Sequence, residues 1–248
     1  MPRTDLDRLT RLLKARHACI YLPTYEEDHA LTVVRACAAE QGHELLTWTV
    51  TRGVADGMLE GDSPVADTAN PAAALTHLNL HAAPRTVVAM LDLAGHLKDD
   101  RVLRCLRELI AKFERIASAV ILIDAANADL PPAIAAAAAR LDLSLPGAVE
   151  LEDIVRRTVR EMHREQAIEV ELRKDDLQSI VQNLQGLSRR SARQAVIETI
   201  ADDRRLDGSD VPRIIAFKKR ALRAMGVLEP VESFATMAEI GGMRNLKA

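Results

Sequence analysis

Five short apolar segments, separated by stretches with helical periodicity, constrain the fold of this chain more than any other feature. Continuous apolar strands that alternate with amphipathic helices favour a parallel sheet covered by helices on both faces. The segments are residues 18–22, 44–50, 86–92, 119–124 and 141–145. We therefore predict a five-stranded parallel α/β domain over residues 1–147.

The character of the sequence changes after Pro146 and Gly147. Residues 149–225 have helical periodicity and no convincing strand pattern, which predicts a small all-helical lobe over residues 148–228. Residues 229–248 are interpreted as a linker followed by the start of a further module. Within the first domain, residues 51–70 contain Gly, Asp and Pro and are predicted to be a long functional or mobile loop.

Composition excludes several classes of protein. No apolar run reaches membrane-spanning length, so no membrane partner is expected. The three cysteines are scattered, as is typical of a cytoplasmic protein, and do not form a disulfide or metal framework. A net charge of −3 leaves nucleic acid binding possible but does not indicate it. Aromatic residues make up 2% of the chain, so its core has to be built from Ala, Leu, Val and Ile.

The order of strands and helical lobe resembles an AAA+ module. Asp92 ends the third strand, at the position of a Walker B acid, and residues 119–127 resemble the sensor-1 strand. Residues 186–196 resemble the lid helix that normally carries sensor 2. The resemblance implies a P-loop-type sheet with strand order 5-1-4-3-2, which would place residues 44–50 at the edge.

The chain is most similar to an AAA+ family of bacteria, cyanobacteria and plastids whose members have a long N-terminal half before a single AAA+ module. The stretches that carry this similarity are IYLPTYEE (20–27), WTVTRG (48–53), residues 70–78, residues 184–192 and FKKRALRAMGVLEPVE (217–232). The resemblance implies that this chain is the degenerate, AAA-like N-terminal half of such a protein.

The C-terminal residues resemble the opening segment of an AAA+ module. In that superfamily a segment of the form acidic-Ile/Val-Gly-Gly-x-x-x-Leu-Lys precedes the ATPase core and lines the adenine pocket. Residues 239–247 of this chain resemble that segment. The resemblance therefore assigns Ile240, Gly241 and Gly242 to the adenine pocket of a module after residue 248. It implies ATP and magnesium as ligands of the parent protein, and no cofactor for this segment.

The residues that would bind nucleotide are missing from this chain's own α/β domain. A P-loop needs glycines to expose backbone N–H groups, a lysine for charge and Ser or Thr for magnesium. The first strand is instead followed by PTYEEDHA (23–30), whose acidic residues would repel a triphosphate. Leu93 stands where a catalytic glutamate would follow Asp92. We predict no catalytic residue in this segment, although the parent protein would be an ATPase.

Other candidate residues favour structural roles. His77 and His81 are spaced as a helical pair but suggest no third metal ligand, so no metal site is predicted. Asp92 is interpreted as a buried strand-end carboxylate bonded to a neighbouring loop. Arg140 is interpreted as a surface residue and not as an arginine finger. Arginines at positions 189, 190 and 193 are interpreted as a solvated basic face.

Three functions stay open at this point. The leading hypothesis is a non-catalytic assembly or regulatory domain of an AAA+ ATPase, which forms a homo-oligomeric ring through the downstream module or contacts a protein partner. The second is a clamp-loader delta-type subunit, which also pairs a P-loop-less AAA fold with a lid and acts on DNA. The third is a standalone adaptor that binds a protein partner.

Overall fold

A computed structural model describes residues 3–59, 61 and 63–224 of the chain. It divides into two compact units, Met1–Leu145 and Pro146–Ala248. In the first unit the strands are β1 Cys19–Pro23, β2 Glu44–Thr49, β3 Gly53–Asp56, β4 Thr86–Leu91, β5 Ala119–Asp124 and β6 Ala139–Arg140. The helices of this unit are α1 Arg3–Lys14, α2 Glu27–Gln41, α3 Pro71–His81, α4 Asp100–Ile116 and the single turn α5 Pro132–Ala135.

The central sheet has the order β3-β2-β4-β5-β1-β6. Five of its strands are parallel and follow the order predicted from the sequence, which confirms the fold class. Every residue of β1, β4 and β5 is buried. One face of the sheet packs on α3 and α4, and the other packs on α1 and α2. Helices therefore cover both faces, as continuous apolar strands require.

The prediction that residues 44–50 form an edge strand was wrong. β3 pairs with β2 in antiparallel register and covers that edge. β3 arises inside the segment that the sequence suggested was a long loop. Trp48 helps to hold this segment, because its buried indole N–H donates to the carbonyl oxygen of Thr68 at 2.8 Å. The Thr68 hydroxyl accepts from the Val54 N–H at 2.8 Å and donates to the Val65 carbonyl at 2.6 Å.

The last strand is also shorter and earlier than predicted. Only Ala139 and Arg140 pair with β1, and the Leu141 N–H adds one bond to the Tyr21 carbonyl at 2.8 Å. Residues 142–145 leave the sheet because Ser144 is bound elsewhere. The fully buried Asp5 of α1 accepts from the Ser144 hydroxyl at 2.8 Å and from its backbone N–H at 3.1 Å.

The second unit consists of α6 Ala148–Glu165, α7 Lys174–Leu184, α8 Arg189–Ala201 and α9 Val211–Ala224, with β7 Glu169–Glu171 and β8 Arg205–Asp207 between them. β7 and β8 form a parallel pair, so the lobe is not all-helical as predicted. Each of these strands has three residues, too few for an apolar alternation that can be recognised in the sequence. The four helices enclose an aliphatic core of their own.

Gly53 provides a stability test of the β2–β3 hairpin. Its φ is +85°, and a methyl carbon at this position would lie 2.5 Å from the Thr68 hydroxyl oxygen. Gly42 also has a positive φ, +63°, but has open space at the same position. We expect Gly42→Ala to lower the free energy of unfolding by about 1 kcal/mol through backbone strain. Gly53→Ala should lower it by roughly 3 kcal/mol, because strain and steric overlap add. Urea unfolding of the two variants measures this difference, and equal losses would contradict the packing described here.

Candidate functional site

The carboxyl ends of β1, β4 and β5 lie side by side at one edge of the sheet. This is the edge at which open α/β sheets bind ligands. Three acidic residues occupy it: Glu27 begins α2 after β1, Asp92 follows β4, and Asp124 ends β5. The candidate site is therefore a cluster of carboxylates, which we call the acidic edge.

Asp124 is the buried member of the acidic edge, with 3% of its surface exposed. Its Oδ1 accepts a hydrogen bond from the Ala94 backbone N–H at 2.7 Å. Its Oδ2 accepts none from the described residues. Burial and the nearby charge of Asp92 raise the pKa of Asp124 to about 6, although the Ala94 N–H acts in the opposite direction. Asp124 was not among the candidate residues predicted from the sequence. Its one signal there is that a single acidic residue ends the apolar run AVILID (119–124).

Asp92 is exposed, so its interpretation as a buried, loop-bonded carboxylate was wrong. Its backbone has a φ of +56°, and its N–H donates to the Ile123 carbonyl at 2.9 Å. This backbone bond links the end of β4 to β5, while the residue's conformation turns the chain away from the strand direction. The contact expected from the side chain of Asp92 is made instead by the side chain of Asp124.

Glu27 is the third carboxylate of the acidic edge and adds to its negative charge. Burial is the main cause that raises the pKa of Glu27, and the charges of Asp92 and Asp28 raise it further. A pKa raised by neighbouring carboxylates means that adding more negative charge at this place is unfavourable. Residues 23–30, which follow β1, contain no glycine, lysine or arginine to offset it. The acidic edge is thus suited to repel a phosphate group.

Two arginines of the lid-like helix α8 pair with carboxylates of α6. The Arg189 guanidinium donates two hydrogen bonds to the Glu150 carboxylate, at 2.6 and 3.1 Å. The side chains of Arg189 and Glu150 are only 12% and 19% exposed, so the interpretation of position 189 as part of a solvated face was wrong. Arg193 is exposed and pairs with Glu161 at 3.1 Å. A partly buried bidentate pair of this kind holds the arginine in place.

The remaining candidates take no part in the acidic edge. The rings of His77 and His81 lie 4.6 Å apart. Within residues 3–59, 61 and 63–224, no group of three His, Cys, Asp or Glu side chains is arranged to hold a metal ion. Arg140 pairs with Asp142 at 2.8 Å. Ile240, Gly241 and Gly242, which the sequence assigned to an adenine pocket, lie outside the described residues.

Two family models match the chain, one for each unit. Residues 5–143 match the SpoVK-like AAA ATPase N-terminal domain, and residues 149–225 match the SpoVK-like AAA ATPase second domain. The chain belongs to the SpoVK-like AAA ATPase family. This membership confirms the family resemblance that the sequence motifs indicated.

Curated relatives of this SpoVK-like chain are about twice as long. It is 26% identical over 242 residues to the uncharacterized AAA domain-containing protein ycf46 of Pyropia yezoensis, covering 96% of this chain and 47% of the relative. The protein of the same description from Guillardia theta is 25% identical, with 96% and 45% covered. The chain therefore spans about half the length of the curated relatives it matches.

Solved structures confirm the AAA+ fold of the SpoVK-like chain. An E. coli MS115-1 HORMA:CdnC:Trip13 complex contains a chain that matches with a TM-score of 0.55 and 13% identity, covering 93% of this chain and 89% of that one. The FIGL-1 AAA domain in complex with ADP matches with a TM-score of 0.53 and 13% identity, covering 88% and 74%. At this identity the likeness concerns the fold alone.

Among the described residues, no helix is both long and apolar enough to cross a membrane.

The raised pKa of Asp124 predicts a pH-dependent stability. The native pKa of about 6 lies above the ordinary value of 3.8, so the native state holds a proton that the unfolded chain releases. The stabilising contribution of the protonated Asp124 carboxyl should therefore be fully present below about pH 4. This contribution should be lost as pH rises through 6. Relative to Asp124→Asn, the wild-type chain should lose about 2 kcal/mol between pH 4 and pH 8.

Urea unfolding at several pH values measures this loss. Asp92→Asn is the matched control, because it removes a neighbouring charge and should shift the transition to lower pH without abolishing it. Parallel stability curves for wild type and Asp124→Asn would contradict the burial of an ionisable carboxyl at this position.

Proposed function

We propose that this chain is the non-catalytic N-terminal half of an AAA+ ATPase and serves in its assembly or regulation. The observation that carries the proposal is the acidic edge. Glu27, Asp92 and Asp124 occupy the sheet edge at which an AAA+ module would bind the phosphates of ATP. Family membership and the coverage of about half of each curated relative support a catalytic module elsewhere in the parent protein.

The helical lobe supports the same proposal. In an active AAA+ module, a lid arginine contacts the nucleotide, and the resemblance places that role on helix α8. Here Arg189 is engaged by Glu150 and would have to break a partly buried, charge-assisted pair to reach a phosphate. Both lobes thus retain the packing of the AAA+ fold, but the sheet edge carries carboxylates and Arg189 of the lid-like helix is paired within its own lobe.

The proposal assigns ATP and magnesium to the downstream module of the parent protein. That module would form the homo-oligomeric ring, and this half would contact a protein partner in the cytoplasm. The negative edge and the overall net charge of −3 give no support to nucleic acid binding.

The first test is titration of this chain with Mg-ATP by calorimetry. We expect no saturable heat at millimolar nucleotide, because the carboxylates repel phosphate and no glycine loop or lysine replaces the P-loop. Glu27→Gln with Asp92→Asn is the informative control. Removing the repulsion alone should still give no binding, since the phosphate-binding groups are missing. Saturable binding at micromolar ATP, about 8 kcal/mol, would refute the proposal.

The second test extends the chain with the sequence that follows residue 248 in its gene. We expect the extension to contain a GxxxxGK[ST] motif and to restore ATP binding. Gly241→Val and Gly242→Val in the extended chain should weaken that binding about tenfold, or 1.4 kcal/mol, because side chains there would fill the adenine pocket. A stop codon after Ala248 would favour the standalone adaptor. An extension that contains a helical collar and no P-loop would favour the hypothesis of a clamp-loader delta-type subunit.

A further inference from the structure

The helical lobe has an apolar groove between α6, β7 and α7. The groove has a volume of about 990 Å³. Its floor consists of aliphatic side chains that also contribute to the lobe, namely Val155, Val159, Leu172 and Val181. Val149 and Val170 line the groove as well, and 86% and 46% of their surfaces are exposed. Exposed apolar side chains around a concave surface are typical of a binding site, since a partner would remove them from water.

The walls of this groove are basic on both sides. Arg156 and Arg160 come from α6, and Arg173 and Lys174 come from the junction of β7 and α7. Arg156 forms an ion pair with Glu152 at 2.7 Å. Glu152 is the only acidic residue that lines the groove. In the part of the chain that the structure describes, the side chains of Arg160, Arg173 and Lys174 form no ion pair with a carboxylate. The groove therefore has a net positive charge and attracts an acidic partner.

The shape and chemistry of the groove favour a helix over a nucleic acid. Its α6 wall extends from Ala148 to Arg160, about 18 Å, which corresponds to roughly three turns of a bound helix. An apolar floor between polar walls matches the way in which amphipathic helices bind in grooves. Single-stranded nucleic acids stack their bases on aromatic side chains, and no residue of this lining is aromatic.

We propose that this groove binds an acidic amphipathic helix of a partner protein. The apolar stripe of the helix packs on the valines and leucine of the floor. Glutamates or aspartates beside the stripe pair with Arg160, Arg173 and Lys174. The inference rests on the proposed non-catalytic role, but it concerns a different lobe. Peptide binding and ATP binding are measured separately, so either can fail without the other.

The experiment uses the full chain and a fluorescently labelled alanine-based peptide. The peptide has leucines at i, i+3, i+4 and i+7 and glutamates on both sides of this stripe, and a second peptide has lysine in place of every glutamate. Fluorescence anisotropy should show saturable binding of the acidic peptide, weakened by added salt, and no binding of the basic peptide. Equal binding of the two peptides, or no saturation with either, would overturn the proposal.

Variants of the chain locate the binding. Arg160→Glu with Lys174→Glu should weaken binding of the acidic peptide at least about tenfold, and Val149→Ser about threefold. Lys219→Glu is the matched control: it reverses a charge on exposed α9, outside the groove, and should change affinity less than about twofold. Circular dichroism verifies that each variant is folded. Unchanged affinity in the double variant would overturn the proposal.

Two further results would assign the groove to another occupant and overturn the proposal. One is that the chain self-associates in sedimentation experiments and that the double variant Arg160→Glu, Lys174→Glu does not. The other is tighter binding of a peptide of this chain's own residues 226–243, which contain three glutamates and no lysine or arginine, than of the designed acidic peptide.

Discussion

Every side chain of β1, β4 and β5 is buried, and each of these strands has to be covered on both faces. This requirement determines the architecture of the first unit, because the helices before and between the strands have to pack on both faces of the sheet. α1 and α2 lie on one face, and α3 and α4 lie on the other. The parallel arrangement then brings the carboxyl ends of the three central strands to one edge, where the acidic edge forms.

The acidic edge combines a structural role with an electrostatic cost. Asp124 anchors the chain after β4 through the Ala94 N–H, so a polar side chain is useful at the end of β5. The cost is a buried carboxyl whose pKa is raised to about 6 by burial and by Asp92. A magnesium-bound triphosphate would compensate such carboxylates in a working ATPase. In this chain the residues after β1 supply further acids instead, and these add to the negative charge at the edge of a nucleotide-binding fold.

The basic residues of the helical lobe are of two kinds. The Arg189–Glu150 pair is internal to the lobe and partly buried. In contrast, among the described residues the basic side chains beside the groove of α6, β7 and α7 form no such pair, apart from Arg156. The lobe therefore has a partly buried arginine that contributes to its own stability and a separate basic surface that can bind a partner. The proposed non-catalytic role would need such a surface, because a domain without catalysis contributes through its contacts.

The sequence by itself determined the class of fold, because that depends on apolar runs and helical periodicity. Local motifs indicated the family, and the resemblance to that family implied the order of the parallel strands. It did not predict β3, the two-residue length of β6 or the β7–β8 pair. These depend on contacts between residues far apart in the chain: Thr68 with Trp48 and Val54, Asp5 with Ser144, and residues 169–171 with 205–207. The same reason applies to the candidate site. The position of Asp92 at a strand end was visible in the sequence, but burial is a property of the packed molecule, and only the tertiary structure decided that Asp124 is the buried acid and Asp92 the exposed one.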